Sequence, residues 1–321
     1  MPPLINSNRL NPNLINSHPI NYNSGRELRA FLAERGLGAR KRFGQNFLIN
    51  PRARSGLLDA MELRGGDEVW EIGPGLGAMT TSLLERGARV TAFEIDPAFA
   101  AILREQFAPL FAGEAAGTFR LVEGDALKTW REVEADIPME ETLLFGNLPY
   151  NAAAALLADF IESGRFFKRM VVTVQREVAL RMTARPGSSD YSSFSVLCSS
   201  VYRVSPLFVI KGASFYPVPR VDSQGVRLDL LPTRGDLPKL FYPLVRGLFS
   251  SRRKAVRNTL SAFAASVILK QVSPEASSAA REIAAEVLGR ANISGDRRPE
   301  TLDRDEFAAL AAFLEEIVYN E

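Results

Sequence analysis

The sequence predicts a doubly wound α/β sheet followed by a smaller helical domain. Three observations carry this expectation. Short apolar runs alternate with helical periods between residues 68 and 183. A glycine turn, Gly73-Pro74-Gly75-Leu76-Gly77, joins the first of those runs to the helix after it. Beyond Pro232 strand character ends and only helical periods remain. Strand alternating with helix is the pattern of a mostly parallel sheet covered on both faces.

Residues 1–24 are rich in Asn, Pro and Ser and read as a flexible N-terminal extension. The segment holds one Arg and no Lys, which suits it poorly to phosphate contact. A helix over 26–36 follows, with Leu28, Phe31 and Leu32 on one face, then the basic and aromatic stretch Arg40–Leu48. The next helix, about 52–63, carries Leu57, Leu58 and Met61. Strands are predicted at 68–72, 89–93, 119–122, 142–145 and 170–175, with helices at 77–86, 97–108, 151–162 and 176–183. Two further runs, 201–210 and 225–230, flank the Pro-rich stretch Phe215-Tyr216-Pro217-Val218-Pro219 and predict an antiparallel hairpin at the sheet edge. Helices over 238–249, 251–265, 275–289 and 303–319 complete the chain. The expected domains are therefore 1–24 (extension), 25–232 (α/β) and 233–321 (helical).

Composition narrows the chemistry. The chain has 321 residues, 46% hydrophobic and 24% charged, as an ordinary soluble protein of one large domain and a smaller one would. It contains one cysteine, Cys198, and one histidine, His18. An intrachain disulfide and a Cys/His metal site are thereby excluded, and no metal is expected. His18 lies in the polar tail, which argues against histidine acid–base chemistry. Cys198 sits in an apolar run and reads as core. Net charge is only +2, so any affinity for nucleic acid must come from local basic clusters. No apolar stretch approaches the roughly 18 residues of a membrane span, and the start lacks a signal-peptide pattern. The scarcity of cysteine fits a cytosolic chain, and a monomer is expected.

The residues with chemistry lie at strand ends. Gly73 and Gly75 let the backbone turn tightly and let a ligand approach the main chain. Glu94 ends the next strand, where a carboxylate can accept from ribose hydroxyls. Together they specify a nucleoside-containing cofactor without saying which. Asp125, after the third strand, either accepts an adenine amine or caps the next helix. Asn147-Leu148-Pro149-Tyr150 ends the fourth strand. The Asn147 side-chain oxygen and the Leu148 carbonyl could accept both hydrogens of an exocyclic adenine amine, freeing its lone pair for attack on a methyl group. Pro149 stiffens the loop, and Tyr150 offers a stacking face worth roughly 1–3 kcal/mol per base.

The chain resembles the KsgA-type small-subunit ribosomal RNA adenine dimethyltransferases over residues about 38 to 315. The matching stretches include Lys41–Leu48, Glu71-Ile72-Gly73-Pro74-Gly75, Gly124-Asp125-Ala126, Gly146–Asn151, Gln175-Arg176-Glu177-Val178, Phe215–Ser223 and Arg252–Asn258. The resemblance implies S-adenosyl-L-methionine as cofactor. It implies dimethylation of two adjacent adenines in the 3′-terminal hairpin of small-subunit (16S) rRNA, within an assembling small subunit. It also implies that Asn46 and Leu48 line the methionine end of the cofactor and that Gly73 meets it through the backbone. Glu94 would hold the ribose, Asp125 the adenine amine, and Asn147 would bridge cofactor and target. Phe215 would either give the target base a second aromatic face or pack as a loop aromatic on the hairpin. Two stretches depart from the family's pattern: Ala152 to Ala155 replace hydroxyl residues and a proline, and Ser192 stands where Gly is usual.

Two basic clusters are candidates for RNA contact: Arg40, Lys41 and Arg42 beside the cofactor entrance, and Arg252, Arg253, Lys254 and Arg257 on an expected helix. Three other readings remain open on sequence: an assembly factor without catalysis, a methylase of large-subunit rRNA, and a nicotinamide dehydrogenase, which would leave Asn147–Tyr150 unexplained.

Overall fold

A computed structural model describes residues 20–37, 45–111, 117–133, 138–149, 152–232, 237–268 and 274–319. They form two compact units, one of residues up to 179 plus 204–230, the other of 180–203 plus 231 onward.

The first unit opens with α1 (Gly25–Glu34), capped by the Ser24 hydroxyl, which accepts from the Glu27 amide; α1 buries Leu28 and Leu32. After β1 (Phe47–Leu48) comes α2 (Pro51–Met61), where Asn50 caps and Pro51 presets the first turn. The β/α alternation follows: β2 (Glu68–Ile72), α3 (Ala78–Glu85), β3 (Arg89–Glu94), α4 (Pro97–Gln106), β4 (Phe119–Glu123), α5 (Ala126–Thr129), β5 (Leu143–Asn147), α6 (Ala153–Glu162) and β6 (Arg169–Gln175). Next come α7 (Arg176–Thr183), α8 (Ser193–Val201), β7 (Tyr202–Ile210), β8 (Phe215–Tyr216) and β9 (Ser223–Leu230). Among the described residues seven strands form one sheet, ordered β4-β3-β2-β5-β6-β9-β7, while β1 and β8 pair separately. The five strands from β4 to β6 are parallel, and β9 runs antiparallel to β6. Val69, Leu83, Leu84, Ala92, Phe107, Phe145 and Val171 are among the apolar residues at the core of this unit.

The second unit contains α8 and four later helices: α9 (Phe241–Phe249), α10 (Val256–Phe263, prolonged by a π turn over Ala264–Ile268), α11 (Pro274–Arg290) and α12 (Arg304–Tyr319). Phe241, Leu248, Leu260, Val287, Phe307 and Leu314 share its core. Cys198 in α8 is fully buried, and burial pushes its thiol pKa far above the ordinary range. No helix among the described residues is long and apolar enough to cross a membrane.

The expected strands appear within two residues of their limits, but several expectations need correction. The extension of 1–24 is not wholly loose, because Ile20 and Tyr22 pack against Leu28, Leu32, Leu76, Phe99 and Ile102. The helical unit is not confined to 233–321: it takes in 180–203, because Tyr191 and Val196 sit in its core and the Tyr191 hydroxyl donates to the Leu302 carbonyl at 3.0 Å. The missed helix α8 starts in a reciprocal cap between Ser192 and Ser195. Ser192 has φ −151°, extended backbone that does not require glycine. The two late runs do lie side by side at the sheet edge as expected, β9 beside β6 and β7 outermost. Pro206 in β7 has no amide hydrogen to donate, which suits a strand with one unpaired side. The helix expected from 251 begins only at Val256, and 251–254 form a turn.

Candidate active site

The chain lays β3 and β4 on one side of β2, then returns to place β5 on the other. That reversal opens a crevice beyond the carboxyl ends of β2 and β5, where doubly wound sheets bind ligands. Register sets its members side by side: Ile72 pairs with Gly146, so Gly73 and Asn147 leave adjacent strands together. Gly73 has φ +72°, and a Cβ built there would find nothing nearer than the Asn147 carbonyl oxygen at 4.0 Å. The turn therefore leaves open space where a ligand can lie against the main chain.

Two adjoining cavities occupy the crevice. One is lined by Asn46, Leu48, Glu71, Gly73, Glu94 and Asn147, among others. The second is lined by Asp125, Ala126, Leu127, Leu148 and Ala152, and shares Gly73, Ile95 and Pro149 with the first. Their walls place the expected methionine-end residues Asn46 and Leu48 in one and the expected adenine-end residue Asp125 in the other.

The glycine turn is closed on itself. The Gly73 amide donates to the Phe93 carbonyl at 3.0 Å, Gly75 to Glu94 Oε2 at 3.0 Å and Gly77 to the Pro74 carbonyl at 2.9 Å. Glu94 Oε1 accepts from the Asp96 amide at 2.8 Å. Asp96 in turn caps α4 and accepts from Gln45 Nε2 at 3.0 Å. Glu71 is 1% exposed and accepts from Thr80 Oγ1 at 2.6 Å. Burial pushes the Glu94 carboxyl up to about 7 and the Glu71 carboxyl up to about 8.

This lining decides between ligand classes. Among the described residues, two carboxyl groups border the first cavity and no Lys or Arg lines either one. The amides of Gly73, Gly75 and Gly77 already donate within the protein. The site suits a ligand with cationic groups, such as a sulfonium and an ammonium, and suits a dinucleotide poorly.

Asn147 is held in one orientation: its Nδ2 donates to the Asn46 carbonyl at 2.8 Å, leaving the side-chain oxygen as an acceptor. The Leu148 amide donates to the Thr173 carbonyl at 3.1 Å and ties the loop to β6, and Leu148 is 1% exposed. Gly146 is required beside it, because a Cβ there would lie 2.5 Å from Leu148 Cδ2. Ala152 starts α6 with no side-chain cap, as the loss of hydroxyls at 152–155 implies.

Comparison with known proteins now decides the family. The model of the family described as Ribosomal RNA adenine dimethylase matches residues 36–285. The chain belongs to the ribosomal RNA adenine dimethylase family. It is 39% identical over 300 residues to the Ribosomal RNA small subunit methyltransferase A of Treponema denticola, covering 92% of this chain and 96% of that one. The corresponding protein of Treponema pallidum is 41% identical over 297 residues, covering 92% and 97%. A crystal structure of a dimethyladenosine transferase from Plasmodium falciparum superposes with TM-score 0.65 at 26% identity, covering 81% of this chain and 94% of that one. The 23S rRNA methyltransferase ErmE superposes with TM-score 0.56 at 22% identity and shares the fold.

In this dimethylase the structure brings Asn46, Leu48, Gly73, Gly75, Glu94, Asp125, Asn147, Leu148 and Pro149 to one crevice. Asp125 does cap α5 through Oδ1, which accepts from Leu127 at 3.1 Å, and still lines the second cavity. Tyr150, Arg40, Lys41 and Arg42 lie outside the described residues. Phe215 departs from its expected role: it is 1% exposed and belongs to the main core, so its ring offers no face to a base. Its β8 residue pairs with Leu48, which draws the ring inward. The second basic cluster is not a single helical face. Arg252 donates to the Ser188 carbonyl, Arg253 and Lys254 are exposed on the turn, and Arg257 pairs with Asp296. Sequence reasoning missed Glu71, Gln45, Asp96 and Tyr22. A glutamate between Trp70 and Ile72 in an otherwise apolar run was the available signal for the first; the Asp96-Pro97 helix start was the signal for the third.

Proposed function

We propose that this chain dimethylates the exocyclic amines of two adjacent adenines in the 3′-terminal hairpin of small-subunit rRNA, using S-adenosyl-L-methionine, on an assembling small subunit in the cytoplasm. The observation that carries the reading is the oriented Asn147 beside the Gly73 turn, in a crevice bordered by Glu71 and Glu94. The names of the Treponema relatives support the target. When bound, S-adenosyl-L-methionine would supply an electrophilic methyl group. Asn46, Leu48, Gly73, Glu71 and Glu94 would hold its methionine and ribose portions, and Asp125 with Ile95 its adenine.

The protein's part is orientation. In the first transfer Asn147 Oδ1 accepts one hydrogen of the target amine and the Leu148 carbonyl the other, which draws the nitrogen towards pyramidal geometry and frees its lone pair; in the second a single hydrogen remains to be held, and each methylated nitrogen gives up one proton to solvent. The Asn46 carbonyl fixes Asn147, and the Thr173 carbonyl fixes the loop. Such positioning supplies up to about 7–11 kcal/mol in favourable systems. Burial of Leu148 and of the apolar floor around Phe145 keeps water from the reacting atoms. Arg253 and Lys254 would meet phosphates without reading sequence.

The test is methyl transfer from labelled S-adenosyl-L-methionine to small subunits lacking the two dimethyladenines, with large subunits as control and the modified positions mapped. Label on two adjacent adenines near the 3′ end is expected. Label on the large subunit alone would move the target, and no label on either would remove the catalytic reading.

A further inference from the structure

The first cavity has a wall that the family's motifs do not include. Tyr22 lies before residue 36, where the family match begins, in the Asn-rich stretch that sequence alone leaves without a role. Its ring lines the cavity together with Asn46, Gly73, Glu94 and Asn147. The hydroxyl donates to the Leu76 carbonyl, in the middle of the glycine turn, at 3.0 Å. The same hydroxyl accepts from Gln106 Nε2 at 2.5 Å, and Gln106 also reaches Thr81 Oγ1 at 3.4 Å. Burial pushes the phenol pKa up, so the group stays a donor throughout the working pH range. At its other end, the Tyr22 carbonyl accepts from Arg54 Nη1 at 3.2 Å. That nitrogen donates also to the Leu48 carbonyl at 2.8 Å, and Arg54 Nη2 reaches the Asn23 side chain.

One residue thus ties two walls from their outer side, while the Gly75–Glu94–Asp96–Gln45 hydrogen bonds link them elsewhere. The glycine turn is reached through Leu76, and the 45–48 stretch through Arg54 and Leu48. We infer that Tyr22 is a positioning residue of the cofactor pocket, setting the gap between the glycine turn and the Asn46–Leu48 wall. The inference rests on the S-adenosyl-L-methionine reading given above.

The experiment uses the full chain and its Tyr22→Phe variant, which keeps the ring and removes only the hydroxyl. Calorimetric titration with S-adenosyl-L-methionine should show Kd raised roughly three- to tenfold, the scale of one net hydrogen bond. Steady-state kinetics should put the same factor on the KM for cofactor, with the loss absent from kcat and from the KM for RNA. In the unmodified protein, hydrogen exchange of the amides of residues 21–24 should slow when S-adenosyl-L-methionine is added. Unchanged affinity in Tyr22→Phe, or equal rises in both KM values, would overturn the inference, as would exchange that ignores the cofactor. Failure of the unmodified chain itself to bind S-adenosyl-L-methionine would instead bring down the cofactor reading and this inference with it. Binding by the unmodified chain with an equal Kd in the variant removes only the inference.

Discussion

Asn147 and Asn46, 101 residues apart in the sequence, meet at 2.8 Å, with the Asn147 side-chain amide donating to the Asn46 carbonyl. The side chain is thereby oriented before any substrate arrives. Asn147→Ala should leave folding intact and reduce the single-turnover methylation rate by roughly 10²–10³, the scale of one lost transition-state acceptor or donor. Asn147→Asp should be as poor, because a carboxylate oxygen would then face the Asn46 carbonyl. Rapid-quench assays with labelled cofactor check both. A near-normal rate in Asn147→Ala would remove the residue from the mechanism.

Glu94 holds the Gly75 amide with one oxygen and the Asp96 amide with the other. Glu94→Ala should mainly weaken cofactor binding, by about 10- to 100-fold, as expected for loss of charged hydrogen bonds. Glu94→Gln should fall between. Calorimetry measures this, and an unchanged Kd in Glu94→Ala would refute the assignment.

Burial pushes the Glu71 carboxyl up to about 8 and the Glu94 carboxyl up to about 7, against 4.5 for an ordinary glutamate. Across that window the folded protein without cofactor keeps protons that the unfolded chain has lost. Stability must then fall as pH rises through it. The favourable contribution is complete below the ordinary carboxyl pKa and is gone once both groups ionise. Glu71→Gln should melt with a weaker dependence on pH between about 5 and 9 than the parent chain. Parallel pH slopes would show that Glu71 ionises as if exposed. Binding of a cationic ligand near neutrality should also release protons, visible as heats that change with buffer ionisation enthalpy.

Gly146 has no room for a side chain, since its Cβ would press on Leu148. Gly146→Ala should cost about 1–3 kcal/mol of stability, as overpacked sites do. It should also lower methylation at temperatures where the variant is still folded. Denaturant unfolding and rate measurements on the same sample separate the two effects; a fully active, destabilised protein would show that the Leu148 carbonyl is not needed.

Arg253 and Lys254 are exposed on the turn before α10. Replacing both with Gln should weaken RNA binding alike for matched and scrambled hairpins, and lower the slope of log K against log salt by about 2. An unchanged slope would mean that these cations stay solvated in the complex.

Much of the cofactor half was legible in the sequence because strand ends in a doubly wound sheet carry local signatures. The Gly73–Gly77 turn, Glu94 and Asn147 each close an apolar run, and their spacing alone placed them on one edge. What stayed illegible depended on pairing between distant segments. Phe215 reads as a loop aromatic in the Pro-rich stretch until β8 is seen to pair with β1, which turns the ring inward. The basic stretch 251–254 reads as helix by composition, yet Ala255 begins the helix after it with φ −63° and ψ 149°. Tyr22 hides in a polar tail because its partners, Leu76, Gln106 and Arg54, all lie well downstream. Residues 180–203 belong with the later helices for a similar reason, through Tyr191 and Val196, whose neighbours come after residue 240.

The solitary sulfhydryl of Cys198, sealed inside α8 and kept protonated by its surroundings, gives the chain a built-in tracer. A thiolate is the species that alkylating reagents attack, so the native molecule should be silent towards them. Whatever labelling does occur counts openings of the unit that contains α8, free of background from any second thiol. A maleimide pulse would therefore time how often those helices come apart, with and without RNA, on protein that needs no engineered probe.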